Sequence, residues 1–375
     1  MELKKVLLFT GKFPSFGNDT DGGSILIHSL ISALKHLCVL DVIFTRTPCE
    51  AFFHIEGVRN VSFETYEKHS KNKFERRLTN KKQLLSRLQK EIATYDIVII
   101  THCSKAFGIS ELTEEERRKI ILFPMYLSSS YKRSGESVPD DYLKEEQLVL
   151  RFVYKILTPS NSEKEDMVRF YGVEPEKIVV IPRGWSSNIQ PKVRQVTKPL
   201  ELLYIASIKA QKNTKEALVL LKELEAKNVD ARLHLAGSFQ NDAIMEECRT
   251  FIEEHQLSAK VVFHGVLSQK ELSELIERVH VNISVSNWET FGRGIFEGMA
   301  GGLPTIVYDR LECVKQYVTD GKGICFVCSH EEFLNAIIKL VCDCDHYQLQ
   351  ARLAIESVAY LSEQEEKERL LKELL

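Results

Sequence analysis

"VHVNISVSNWETFGRGIFEGMAGGLPTIVY", residues 279–308, runs from an apolar strand through a loop into a helix and on to a second strand. Val279–Val285 is rich enough in Val and Ile for a buried strand, and "SNWET" reads as a loop. "FGRGIFEGMA" then sets Ile295, Phe296, Met299 and Ala300 on one apolar side of a helix. Gly301 and Gly302 stop that helix, and Pro304 opens the next strand.

The same alternation continues along the chain. "LELLYIAS", "ARLHLAG" and "KVVFHG" read as strands before this stretch, and "KKVLLFT", "LDVIFT", "YDIVIITH", "KIILFP" and "KIVVIP" do so in the first half. Between them, "GGSILIHSLISALKHL", "SEKEDMVRFYGV", "TKEALVLLKELEAK" and "SQKELSELIERV" carry apolar residues at helical spacing. Strands alternating with helices form parallel sheets covered on both faces, so the fold class is α/β. At 375 residues the chain is about twice the usual domain size, and the pattern repeats twice. We therefore expect two doubly wound, Rossmann-like domains facing a cleft. The periodicity breaks in "IPRGWSSNIQPKVRQVTKP", which places an N-terminal domain at 1–185 and a C-terminal domain at 186–355.

A composition of 44% hydrophobic and 27% charged residues fits a globular protein, and a net charge of -3 argues against nucleic acid as a partner. The longest apolar run near the start is "VLLF", so neither a signal peptide nor a membrane span is expected, and the expected location is the cytoplasm. Nine cysteines, an odd number, are then best read as reduced thiols.

In open α/β sheets ligands bind beyond the carboxyl ends of the strands. The helix start near Gly292 offers free backbone amides and a positive dipole end, which suit a phosphate, and Gly292 and Gly294 permit close approach. Glu289 and Glu297 flank that spot. Carboxylates bind hydroxyls rather than phosphates, by charge-assisted hydrogen bonds. Eight residues of helix rise about 12 Å, comparable to the span of a nucleotide sugar. One carboxylate can take a sugar hydroxyl and the other a ribose hydroxyl, with the diphosphate between them. Spacing alone equally permits a helix-start Glu289 and a solvated Glu297.

"E-TFGRGIF-E" followed by "GMAGGLPTIV" resembles the paired-glutamate motif of retaining glycosyltransferases of family four, which have the GT-B fold. "LTPSNSEKEDMVRFYGVEPEKIVVIPRG" resembles the segment ending that family's first domain. "VVFHGVLSQKELSELI" resembles the stretch flanking the base pocket, and "DTDGGSILIHSLISAL" the first glycine loop, so the resemblance covers nearly the whole chain. It implies transfer of a sugar from a nucleotide sugar, a uridine rather than a guanosine diphosphate sugar, with retained configuration. The acceptor is a glycan, lipid-linked sugar or small molecule. No cofactor and no metal are implied. The terminal stretch 356–375 is helical and, as in the family, is expected to return across the N-terminal domain.

The resemblance also implies roles. Glu289 meets the donor sugar's hydroxyls and Glu297 those of the ribose. The backbone of Phe291 and Gly292 faces the sugar and diphosphate with Arg293 beside them, while Gly265 and Val266 border the base. Lys212 matches a lysine that grips the diphosphate, but Ser207 stands where an arginine is usual. Arg183, where the family more often has Asn, and Lys209 are the substitutes considered for it. Gly22 and Gly23, in the loop after the first strand, approach the donor or acceptor from the other domain. His102, at the end of "YDIVIITH", joins Glu289 and Lys212 as a catalytic-site candidate. Transfer is expected on the front face of the sugar, with the leaving phosphate oxygen helping to take the acceptor proton. "SSSYKRSGESVPDDYLKEEQ" is read as an acceptor loop, with Tyr131, Lys132 and Arg133 for an anionic acceptor.

Cys325, Cys328, Cys342 and Cys344 tempt a zinc assignment. An odd separation on a strand points two side chains to opposite faces, so zinc is not expected. Residues 68–92, "KHSKNKFERRLTNKKQLLSRLQKEI", form a basic amphipathic helix that suits an anionic membrane surface or, alternatively, covers the N-domain sheet. Two rival functions stay open: a sugar-nucleotide epimerase of related fold, and a non-catalytic GT-B partner protein, which Ser207 favours.

Overall fold

The computed structural model describes residues 3–11, 22–45, 54–65, 70–239 and 241–375. The chain divides into two units. One contains Gly23–Pro182, the first strand and Lys367–Leu375, and the other contains Arg183–Glu366.

The first unit is built on seven strands: β1 (Lys5–Thr10), β2 (Val39–Phe44), β3 (Asn60–Phe63), β4 (Ile97–Thr101), β5 (Ile120–Phe123), β6 (Lys155–Thr158) and β7 (Ile178–Val180). Their order across the sheet is β3-β2-β1-β4-β5-β6-β7, and each neighbouring pair is parallel. The second unit has six: β8 (Leu200–Ile205), β9 (Ala231–Ala236), β10 (Val261–Gly265), β11 (Val281–Ser284), β12 (Thr305–Tyr308) and β13 (Ile324–Val327). They lie in the order β10-β9-β8-β11-β12-β13, again all parallel. Each unit is thus a Rossmann-like parallel α/β fold, as the alternation of strands and helices led us to expect.

In the second sheet the direction of building reverses between β8 and β11, which pair through Val281 with Leu202 and Asn282 with Leu203. Such a switch point opens a crevice at the carboxyl ends of the two strands. The strands read as apolar runs because both faces are covered: Leu202 and Tyr204 join one buried cluster while Leu203 joins the other. The helix Arg293–Ala300 follows β11 and buries Ile295, Phe296 and Met299 in that second cluster. Each such side chain stabilises by about 1.5–3 kcal/mol. Close approach to the sheet is possible because Gly294 and Gly298 lack side chains: a Cβ on Gly298 would fall 2.4 Å from Asn282 Nδ2, and one on Gly294 2.7 Å from the Ile205 carbonyl oxygen.

Two expectations for the first unit change. The basic segment, described from residue 70, forms helices Lys73–Thr79 and Lys81–Ile92. Phe74, Leu85, Leu88 and Ile92 are buried in the core. Several of its cations are paired: Lys73 with Glu136 at 2.5 Å, Lys81 with Glu145 at 2.8 Å and Arg87 with Glu91 at 2.9 Å. An apolar face already spent on the core has nothing to insert into lipid, so the membrane-surface expectation gains no support. Among the described residues no helix is long and apolar enough to cross a membrane. The expected acceptor loop is also different. Ser128–Arg133 is helical, Tyr131 is buried with its hydroxyl accepting from Arg77 at 2.9 Å, and Arg133 pairs with Asp166.

The terminal stretch is helical, through Cys344–Val358 and then Glu363–Leu374. Leu370 and Leu374 are buried among Val6, Leu8 and Leu157 of the first unit, and Lys155 pairs with Glu373 at 3.2 Å.

Candidate functional site

A pocket opens at the β8–β11 switch point. Lys212, Glu289, Gly292, Arg293 and Gly294 line it, with the end of β8 as its floor. Lys212 is carried there by the single turn Ala210–Lys212, and Asn213, in the left-handed region at φ 48°, closes that turn. Gly292, at φ 87°, is the N-cap of Arg293–Ala300, a conformation that a side chain strains. Arg293 and Gly294 bring the first two amides of that helix to the pocket, while the Ile295 amide already donates to the Gly292 carbonyl at 2.9 Å. Asn282, buried on β11, holds the first turn by donating from Nδ2 to the Ile295 carbonyl at 3.2 Å.

Glu289 does not stand alone. Lys212 Nζ lies 2.5 Å from its Oε1, and the Ser286 hydroxyl donates to the same oxygen at 2.7 Å. Behind them Tyr204 places its hydroxyl 2.6 Å from the Lys212 carbonyl oxygen and 2.8 Å from Ser286 Oγ. Two hydroxyl hydrogens thus serve three contacts, a tight polar knot in a buried setting. Burial holds the Tyr204 phenol far above its ordinary range, so it stays protonated.

Glu297 lies one helical turn inside the helix start, its side chain only 5% exposed, so it is not a solvated helix residue. Burial raises its carboxyl, and the Arg293 guanidinium, with Nε 3.0 Å from Glu297 Oε1, opposes the rise. The two glutamates therefore each face a cation, Lys212 for one and Arg293 for the other.

The remaining candidates fall elsewhere. Phe291 has its ring in the core, 4.8 Å from Phe296 and 5.3 Å from Tyr317 between centroids, which leaves its backbone for any ligand. Gly265 ends β10 at φ 66°, and Val266 beyond it is 48% exposed. Arg183 is committed to Glu366, with Nη1 2.7 Å from Oε1 and both side chains buried. Lys209 is the extended N-cap residue of the turn that carries Lys212. Gly22 begins the helix Gly22–Leu34, while the preceding part of the glycine loop lies outside the described residues. His102 follows β4 at φ 79°, an uncommon value for a non-glycine residue, with Nδ1 accepting the Ser104 amide at 3.2 Å. That bond places the ring proton on Nε2.

Tyr204, Ser286 and Asn282 escaped the sequence reading. A signal was present: Asn282, Ser284 and Ser286 occupy alternate positions of an apolar strand run, so three polar groups share one face. Among the described residues no three His, Cys, Asp or Glu side chains converge on a possible metal position.

The pocket thus lies at the switch point of the second Rossmann-like unit. Residues 186–357 match the family model described as Glycosyl transferases group 1, and residues 20–186 match Glycosyltransferase Family 4. Together the two models span residues 20–357, so the chain carries the two domains of the GT-B glycosyltransferase families.

Among curated proteins it is similar to glycogen synthase of Mycobacterium tuberculosis, 27% identical over 164 residues that cover 43% of this chain and 39% of that one. It is also similar to the GtfA subunit of the UDP-N-acetylglucosamine–peptide N-acetylglucosaminyltransferase of Streptococcus pneumoniae, 23% identical over 215 residues, 57% of this chain and 41% of that one. The matches thus span about two fifths of those relatives. Among solved structures, sucrose-phosphate synthase from Thermosynechococcus elongatus superposes with a TM-score of 0.81 at 17% identity, covering 98% of each chain. Alr3699/HepE of Anabaena, solved with UDP-glucose, gives 0.77 at 14% identity over 99% of each. These likenesses concern the fold.

Proposed function

We propose that this protein transfers a sugar from a nucleoside diphosphate sugar, with uridine favoured over guanosine, to a glycan, lipid-linked sugar or small-molecule acceptor, with retention of configuration. The observation that carries the proposal is the pairing of Glu289 with Lys212 in a pocket that also receives the helix start at Gly292. A carboxylate for sugar hydroxyls beside a cation and free amides for a diphosphate is the complement of a sugar nucleotide.

Glu289, with Lys212 and Ser286 on Oε1, offers Oε2 to the donor sugar's hydroxyls. Glu297 takes the ribose, and the backbone of Gly265 and Val266 borders the base. As the anomeric C–O bond to the diphosphate breaks, negative charge grows on the leaving oxygen, where Lys212 and the helix amides stabilise it. The acceptor oxygen bonds to the anomeric carbon on the same face, and its proton passes to the leaving phosphate oxygen. No metal or cofactor enters these steps.

Thermal-shift measurements with a panel of UDP- and GDP-sugars test the donor half. A ligand at 100 times its Kd stabilises the folded state by about 2.7 kcal/mol, so at least one donor is expected to raise the melting temperature by several degrees. No shift with any member of the panel overturns the proposal. The non-catalytic alternative rests on Ser207, and steady release of nucleoside diphosphate during product formation excludes it.

A further inference from the structure

The sequence leaves the diphosphate one cation short, with Ser207 where the resemblance implies an arginine, and neither Arg183 nor Lys209 is among the residues that line the pocket. Arg183 is buried against Glu366, and Lys209 begins the turn that delivers Lys212. Lining the same pocket as Lys212, however, is Arg293, the first residue of the helix that follows Gly292.

We propose that Arg293 is the second diphosphate-binding cation of the donor site, acting with Lys212. The proposal rests on the donor reading above and deepens it.

Three observations carry it. Arg293 lines the pocket together with Lys212 and Glu289, so both cations border one space. Its side chain is 17% exposed, and Nη1 is buried without a hydrogen-bond acceptor among the described residues. A buried guanidinium donor is rarely left unpaired, and the acceptor it lacks must reach it from the pocket. Thirdly, Glu297 meets the guanidinium as an ion pair at Nε, 3.0 Å from Oε1 but outside hydrogen-bond geometry, so that Nε as well as Nη1 is left without an acceptor.

The surroundings keep Arg293 in place. Arg183 stands close enough for the two positive charges to act on each other, which disfavours a swing of Arg293 toward it. Gly294, packed onto the Ile205 backbone, pins the helix start to β8. A planar fork of donors matches phosphate oxygens better than an ammonium does, so Arg293 and Lys212 divide the work between geometry and point charge. Because Arg293 also touches Glu297, one residue links the carboxylate assigned to ribose with the phosphates.

The test is calorimetric titration of the full chain with UDP and uridine, and with GDP and guanosine, for wild type, Arg293→Gln and Arg293→Lys. For Arg293→Gln the nucleoside diphosphate is expected to bind roughly tenfold or more weakly while the nucleoside binds within about twofold of wild type. The wild type should lose diphosphate affinity more steeply with added salt than the variant does. Should Arg293→Gln fail to fold, Arg293→Lys keeps the charge, and its diphosphate affinity is expected to fall roughly threefold or more with the nucleoside unchanged. Equal diphosphate binding by wild type and variants overturns the proposal. So does an equal loss of nucleoside and diphosphate, which marks a structural role through Glu297. If the wild type binds neither UDP nor GDP, the donor reading itself falls, an outcome distinct from variants that bind as wild type does.

Discussion

Lys212 Nζ lies 2.5 Å from Glu289 Oε1, tying the turn after β8 to the loop after β11 across the switch point of the second sheet. Both side chains are mostly buried, 15% and 10% exposed, so each charge depends on the other. Removing one partner leaves a buried charge, whereas removing both leaves none. Lys212→Met and Glu289→Gln are each expected to lower glycosyl transfer roughly a hundredfold. The double variant should lose much less than the product of the two effects, as the rates of all three will show.

Ser286 holds the same oxygen of Glu289 from the other side, at 2.7 Å. Ser286→Ala removes an orienting hydrogen bond without touching the donor. We expect kcat to fall roughly tenfold with the donor KM changed by less than about threefold. A loss confined to KM would place Ser286 in donor binding instead. Tyr204→Phe should show the same pattern, because its hydroxyl meets both Ser286 Oγ and the Lys212 carbonyl.

How much of this was legible in the sequence follows from how local each feature is. The strands stood out because parallel sheets covered on both faces give unbroken apolar runs, as in "VLLF" and "IVII". The short strands Asn60–Phe63 and Lys155–Thr158 escaped notice because four residues are too few to show a period. Glu289 and Glu297 carried a readable spacing around glycines, whereas Lys212 was reached only through the family resemblance. The Ser286–Tyr204 contact was not legible, since those residues are far apart along the chain and only the parallel pairing of β8 with β11 brings them together. The basic segment stayed ambiguous for a related reason. Its amphipathic pattern is the same whether the apolar face meets lipid or the core, and only the structure shows Phe74 and Leu88 inside the latter.

The glycines of the helix Arg293–Ala300 make a steric prediction. A Cβ on Gly298 would lie 2.4 Å from Asn282 Nδ2, a group that itself holds the helix start. Gly298→Ala must shift the helix away from β11 at a cost of about 1–3 kcal/mol. A melting temperature lower by roughly 2–10 °C is expected, together with weaker donor binding. An unchanged melting temperature would show that the helix can yield freely.

Burial pushes the Glu163 carboxyl up to about 7, although the Thr158 hydroxyl donates to it. The folded state then holds this proton more tightly than the unfolded state, whose carboxyl titrates near 4.5. Stability is therefore lost as pH rises from about 4.5 through 7, by up to about 3 kcal/mol. Glu163→Gln lacks this loss and should gain on the wild type over that window in urea unfolding at pH 4.5 and 7.5. A difference independent of pH would place the titration elsewhere.

The central claim is that Glu289 positions the sugar of a nucleotide donor for transfer, and release of nucleoside diphosphate from UDP- and GDP-sugars tests it most directly. With the donor that stabilises the protein, the wild type should release nucleoside diphosphate, and Glu289→Gln should slow that release roughly a hundredfold while melting within a few degrees of it. Release at the wild-type rate by Glu289→Gln, or no release with any donor that binds, would contradict the claim.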